Sequence, residues 1–169
     1  MRRALFLLVA ICFAACGTIG EEHPTHEESS VVGVGDVAPD FSVELLGGER
    51  VTLSELRGEV VLLILFSHEC PDCKMLMDDM QAARDDFDDL GVRILSVERD
   101  GSAEEVEAYM ASHGYDFDVA VDDNRAIYNL YATMYVPRTY LIDSEGVIVY
   151  ATIEYDASYV DQILSAIPR

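Results

Sequence analysis

Apolar residues follow two rhythms along this chain, and the switch between them marks out the elements. Val60-Val61-Leu62-Leu63-Ile64-Leu65-Phe66 is an unbroken apolar run of strand length. Such a run predicts a central strand covered on both faces. Cys73, Leu76, Met80, Ala83, Phe87 and Leu90 then recur every three or four residues, which predicts one buried face of a helix over residues 71 to 90. Asp78, Asp79, Asp85, Asp86, Asp88 and Asp89 fall off that stripe and form a solvated face; they lack the glycine-bearing loop of a calcium site. Gly91 ends the helix and Val92 to Val97 is a second buried strand. Ser102-Ala103-Glu104-Glu105 is a capping-box pattern that opens a helix ending near Gly114. A short strand follows over Phe117 to Val121. Asp123 to Tyr131 reads as a helix with Ile127, Leu130 and Tyr131 turned inward. Arg138 to Ile142 and Val147 to Thr152 are strands joined by Asp143-Ser144-Glu145-Gly146, and Val160, Ile163, Leu164 and Ile167 line a C-terminal helix. Upstream, Phe41 to Leu45 and Arg50 to Thr52 flank Gly47-Gly48, a hairpin signal, and Leu53 to Leu56 forms a helical turn. The order predicts an α/β fold: a mixed, mostly parallel sheet with an antiparallel edge, helices on both faces, and an N-terminal β-hairpin.

The first residues obey neither rhythm. Arg2 and Arg3 precede an apolar run, Ala4 to Ala15, that is short for a bilayer span and ends in small residues. Residues 1–15 therefore read as a signal peptide. Phe13-Ala14-Ala15-Cys16 resembles a bacterial lipobox, with Phe13 where Leu is usual, so Cys16 is the expected lipidation site and the mature N-terminus. Residues 16–35, with Glu21, Glu22, His23, Pro24, His26, Glu27 and Glu28, read as a polar flexible tether. Residues 36–169 are the folded domain. His23 and His26 are solvated tail residues on this reading, and no metal site is expected.

Composition narrows the function. Of 169 residues, 32 are acidic against 11 Lys and Arg, a formal net charge of −21. Binding to nucleic acid needs clustered cations to neutralise phosphate, so that class is excluded. Of four cysteines, Cys12 leaves with the signal and Cys16 is the anchor, which leaves Cys70 and Cys73 in the domain. Closing so small a loop adds little as a structural staple, so the pair is chemical. A zinc site would need two more ligands, and the domain offers only His68 and His113 beside the pair; a C-x-x-C in a βαβ setting reads as redox.

The pair sits where a buried strand passes into a long helix. Unpaired N–H groups and the partial positive charge of a helix N-terminus stabilise a thiolate. Pro71 suits the first helical position, which makes Cys70 the N-cap. Cys70 then faces outward as the nucleophile, and Cys73, one turn in, is the shielded resolving thiol. Asp72 lies between them, and its negative charge opposes thiolate formation at Cys70, so the couple is expected to be more reducing than one with His there.

Several segments in order resemble the thioredoxin-like family, and most closely its TlpA/ResA-type extracytoplasmic thiol-disulfide oxidoreductases within the AhpC/TSA–redoxin superfamily. They are Ala38-Pro39-Asp40-Phe41, Leu53-Ser54-Glu55-Leu56-Arg57-Gly58, Cys70-Pro71-Asp72-Cys73 and Val136-Pro137-Arg138-Thr139-Tyr140-Leu141-Ile142-Asp143. The resemblance implies a cis peptide before Pro137, close to the cysteines, and pairing of the Val136 backbone with the substrate chain. It implies protein disulfides or dithiols as substrates, an electron donor in the membrane, and no cofactor. The chain departs from the family in having Glu69 and Phe66 where Trp is usual, and Ile64 where thioredoxin carries a buried acid. Deprotonation of Cys73 would then fall to water or Glu98, and His68 and Arg138 are the candidate compensating cations.

The expected function is thiol-disulfide exchange on extracytoplasmic protein disulfides, with the chain as reductant. Two other classes compete. A peroxiredoxin-type peroxidase would place Pro seven residues before its cysteine, where Leu63 stands, although Ser67 matches the pattern's hydroxyl. A non-enzymatic binding lipoprotein would have no use for an intact Cys70–Cys73 pair.

Overall fold

The computed structural model describes residues 24–168. The expected lipid anchor, Cys16, and His23 lie outside the described residues. A five-stranded sheet organises the chain, in the order β5-β4-β3-β6-β7. Its strands are β3 (Val60–Phe66), β4 (Val92–Glu98), β5 (Asp118–Val121), β6 (Arg138–Ile142) and β7 (Ile148–Ile153). β3, β4 and β5 run parallel, whereas β6 and β7 return antiparallel. The separate hairpin β1 (Ser42–Glu44) and β2 (Arg50–Thr52) lies against the sheet through Leu45 and Ala120.

The apolar run in β3 is buried because both faces are covered. Val61, Leu63 and Leu65 join one core cluster with the hairpin, the 3-10 turn at Leu53–Leu56, and the short helix α4 (Tyr128–Tyr131). Leu62, Ile64 and Phe66 join the other, with residues of α1 (Pro71–Ala82), α2 (Arg84–Asp89), α3 (Ala103–His113) and α5 (Tyr159–Ala166). A strand whose alternate residues feed two cores cannot slip register without exposing one of them. The expected mixed sheet with helices on both faces is what the chain forms, with the longer helices gathered on one face.

Local chemistry explains the boundaries. Asp40 accepts from the Ser54 backbone N–H at 2.8 Å and from its hydroxyl at 2.7 Å, which seats the 3-10 turn. The Ser102–Glu105 capping box forms in both directions, and Gly114 closes α3 in the left-handed region at φ 73.

Three expectations are corrected. The helix expected over 71–90 breaks at Ala83 (φ −96, ψ 12) into α1 and α2. Asp85, Asp86, Asp88 and Asp89 would crowd the negative C-terminal end of a single helix; the break puts Asp85 and Asp86 in the first turn of a new one. Leu90, placed on the buried stripe, is 52% exposed beyond that break. The helix expected over 123–131 shrinks to the single turn of α4, because Asp122 accepts the Tyr128 N–H at 2.7 Å and Arg125 adopts φ 56. Leu130 consequently faces outward, while Ile127 and Tyr131 are buried as expected.

The third correction concerns the tether. Residues 24–35 do not stand off the domain. Thr25 and Glu28 form a reciprocal capped turn, Thr25 N–H to Glu28 at 2.9 Å and Glu28 N–H to the Thr25 hydroxyl at 3.3 Å. Ser29 is fully buried, Ser30 bridges to Ala132, and Val37 bridges to Val147. His26 is exposed, yet it also touches the domain: its Nε2 lies 2.9 Å from a Glu154 carboxylate oxygen.

Candidate active site

The C-terminal ends of β3 and β4, the start of α1, and the loop before β6 meet at one edge of the sheet. This is where open α/β sheets place their sites. Cys70 is the N-cap of α1, in extended backbone (φ −87, ψ 119), and Pro71 occupies the first turn. The Cys70 sulfur accepts the Cys73 backbone N–H at 3.4 Å, so one of the orphan donors of the helix N-terminus is aimed at it. Cys70 is partly exposed and Cys73 is fully buried, both as free thiols. Asp72 stands exposed in the same first turn. Lys74 is drawn to Asp78 at 2.5 Å, one turn along the helix.

The Val136–Pro137 peptide is cis, as the family resemblance implies. The Cys70 thiol donates to the Val136 carbonyl at 3.6 Å. Cys70, Pro71, Asp72, Cys73, Val136 and Pro137 thus converge, although 66 positions separate Cys70 from Val136.

Burial pushes the Cys73 thiol well above its ordinary value; the Ser67 backbone N–H pulls it down, and the Cys70 sulfur and the Glu98 charge push it further up. Glu98 ends β4 with its side chain fully buried. Its two oxygens accept three backbone N–H groups: His68 at 2.6 Å, Asp100 at 2.9 Å and Gly101 at 3.2 Å. Burial raises its carboxyl above the ordinary value, against the pull of those donors. Both carboxylate oxygens of Glu98 accept backbone N–H groups, and no hydrogen bond joins it to Cys73 among the described residues. It ties the loop leading into Cys70 to the loop leaving β4. The His68 ring lies alongside, Nδ1 3.4 Å from Glu98, packed so closely on Gly101 that a Cβ there would meet it at 2.9 Å.

Arg138 is not a cation at the thiols. It is 1% exposed and projects to the hairpin side of the sheet, where its guanidinium donates to Met134 O at 2.6 and 3.2 Å. It also donates to Ser29 O at 3.1 Å, Ser29 Oγ at 2.6 Å and Ser30 Oγ at 2.8 Å. The residues ahead of Pro137 are held from several sides. Tyr135, at φ 69, donates its hydroxyl to Pro24 O at 2.6 Å and accepts at its carbonyl from the Tyr128 hydroxyl at 2.7 Å. Reading the sequence as a tether missed these contacts; the available signal was Thr25-x-x-Glu28, a second capping box.

A partly exposed N-cap sulfur, a guarded sulfur one turn in, and a backbone carbonyl facing the first sulfur make a site for thiol–disulfide exchange. The model of the AhpC/TSA family matches residues 34–151. Thiol-disulfide oxidoreductase ResA of Bacillus subtilis is 34% identical over 147 residues, spanning 87% of this chain and 80% of that protein. Among solved structures, a candidate protein disulfide isomerase of Bacteroides thetaiotaomicron superposes with a TM-score of 0.75 at 30% identity, covering 81% of this chain and 89% of the other. A candidate thiol:disulfide interchange protein DsbE of Chlorobium tepidum gives 0.73 at 26% identity over 81% and 99%. With the site and these relatives in agreement, the chain belongs to the AhpC/TSA family, among its thioredoxin-like thiol-disulfide oxidoreductases.

Proposed function

We propose that the chain reduces disulfides of extracytoplasmic polypeptides, with Cys70 as nucleophile, Cys73 as resolving thiol, and Cys16 as its lipid anchor. The observation that carries this reading is the unequal burial of two sulfurs on one helical turn. A substrate can reach Cys70 and cannot reach Cys73.

The steps follow from that inequality. The Cys70 thiolate attacks one substrate sulfur; the substrate S–S bond breaks, a mixed disulfide forms, and the first substrate thiolate leaves. An incoming chain paired with the Val136 backbone displaces the contact that the Cys70 thiol makes with that carbonyl. Cys73 then loses its proton to water and attacks the Cys70 sulfur. The Cys70–Cys73 disulfide forms, the mixed disulfide breaks, and the second substrate thiolate departs, so two electrons pass from enzyme to substrate. The Cys73 thiol, raised by burial, slows the second attack and so lengthens the life of the mixed disulfide. Asp72 biases the couple toward the reducing side. Electrons return from a dithiol donor in the membrane, next to which the anchor at Cys16 holds the domain.

The test is a trap. A Cys73→Ser chain should accumulate mixed disulfides with clients through Cys70, and a Cys70→Ser chain should not. Equal trapping by both would sink the assignment of roles. Peroxide consumption faster than insulin-disulfide reduction would favour a peroxidase instead. Labelling by a lipid precursor that persists in a Cys16→Ala chain would remove the anchor from the reading.

A further inference from the structure

Arg138 is an odd residue to bury. Its cation is 1% exposed, and among the described residues it has no carboxylate partner. Removing a guanidinium from water costs several kcal/mol as an order of magnitude, and only neutral carbonyl and hydroxyl oxygens offset it here. Those oxygens belong to two segments. One is the 133–137 loop that carries Val136. The other is the N-terminal strap, residues 24–30.

The strap touches that loop along its length. The Thr133 N–H donates to Ser29 O at 2.9 Å, and the Tyr135 hydroxyl donates to Pro24 O at 2.6 Å. The His26 ring stands edge-on to Tyr135 at 5.0 Å and pairs with Glu154, whose own N–H donates to Pro137 O at 2.9 Å. Tyr135 sits in the left-handed region, which a bulky side chain keeps only when its surroundings hold it there. The side of the loop left for an incoming chain is the one facing Cys70.

We propose that the strap is a working part of the active site: latched by Arg138, it fixes the loop that presents Val136, and thereby selects extended polypeptide disulfides over small ones. Arg138 and Tyr135 are positioning residues; neither touches the sulfurs in the contacts described above. A small disulfide needs only Cys70 and is indifferent to the strap. A polypeptide must also pair with the Val136 backbone, so its binding depends on that backbone being preset. The proposal rests on the roles assigned above to Cys70 and Val136.

The test compares two substrates on the full-length chain. In Arg138→Met, of similar volume and no charge, KM for insulin disulfides should rise about tenfold, the weight of about one hydrogen bond of binding energy. The turnover number, and the rate at which Cys70 reacts with a small aromatic disulfide, should stay within about twofold. Arg138→Lys should recover part of the KM, because a point charge can reach some of the same oxygens. Tyr135→Phe, which deletes one hydroxyl, should raise KM about threefold and decides the matter alone if Arg138→Met does not fold. An unchanged KM in a folded Arg138→Met or in Tyr135→Phe overturns the proposal and leaves the role of Cys70 standing. So does a small-disulfide rate that falls in step with the insulin rate, since the lesion would then be general. A parent chain inert toward both substrates would overturn the reading of Cys70, and this proposal with it.

Discussion

Glu98→Ala is the sharpest test of how the cysteine loop is held. The carboxylate accepts three backbone N–H groups, from His68, Asp100 and Gly101, and is itself fully buried. Removing it strands the buried Gly101 N–H, at about 1–3 kcal/mol, and leaves the half-buried His68 and Asp100 N–H groups unpaired at a smaller cost each. Part of that is offset, because the buried carboxylate no longer has to be desolvated. The expected net loss is about 1–3 kcal/mol, a sizeable share of the roughly 5–15 kcal/mol that holds a domain of this size together. In urea titrations of the reduced protein this is a lowered midpoint at unchanged slope. The pH dependence has a definite sign. Burial raises the folded carboxyl above its ordinary 4.5, so between the unfolded and folded values the native state binds more protons than the unfolded one. The stabilising contribution is complete below 4.5 and is lost as pH rises through the folded value. The gap between parent and variant should therefore be widest near pH 4 and narrow toward pH 8. A gap that widens with rising pH would mean that the three donors outweigh burial, and the reasoning would fail. A variant as stable as the parent at every pH would show that the carboxylate holds nothing. A third readout is chemical: without the nearby anion the Cys73 thiol should ionise at lower pH, seen as ultraviolet thiolate absorbance that appears at lower pH in a Cys70→Ser background.

Other outcomes follow from single contacts. Native reduced protein should take up one equivalent of iodoacetamide rapidly, at Cys70, and a second only in denaturant, because Cys73 is buried and its thiol is pushed up; two fast equivalents would contradict the assignment. Asp72→His replaces an anion by a partial cation in the first turn of α1 and should raise the reduction potential by about 20–40 mV, from a charge–dipole change of about 1–2 kcal/mol; a redox titration with no rise would count against it. Gly101→Ala puts a Cβ 2.9 Å from the His68 ring and 3.0 Å from Val106, and should cost about 1–3 kcal/mol in thermal unfolding while slowing insulin reduction through the displaced loop. Ser102→Ala removes one half of the α3 capping box and should cost about 1 kcal/mol with insulin kinetics unchanged.

What could be read from the sequence was whatever one element settles by itself. β3 declared itself because seven consecutive apolar residues fit only a strand covered on both faces. Cys70 and Pro71 declared a helix start because N-cap and first-turn chemistry are local. Asp85 to Asp89 were harder: periodicity carries no term for four carboxylates crowding one helix end, so the break at Ala83 stayed hidden. Glu98 and Arg138 were harder still. A charged residue at a strand end looks the same in sequence whether it meets water or is enclosed by loops from elsewhere, and here both are enclosed. Residues 24–30 have the composition of a disordered tail, yet Ser29 is buried because the fold brings Arg138 to it across 109 positions.

These two buried charges have a common logic. Thiol–disulfide exchange needs an attacking sulfur and a docking strand in fixed relation, but the first lies after β3 and the second before β6. The strands carrying them are neighbours in the sheet, Leu65 standing opposite Arg138, so the sheet sets their spacing to within a side chain. Beyond the strand ends the backbone is loop on both sides, and apolar packing fixes loops poorly because their polar groups must still find partners. A buried carboxylate gathers three N–H donors on the cysteine side, and a buried guanidinium gathers carbonyl and hydroxyl oxygens on the proline side. Each loop is thus held by the sign of charge that its free backbone groups require. Exchanging the signs, with a cation at 98 and an anion at 138, would leave the three N–H groups and the Met134 and Ser29 carbonyls facing their like, and such a chain should lose the site before it loses the sheet.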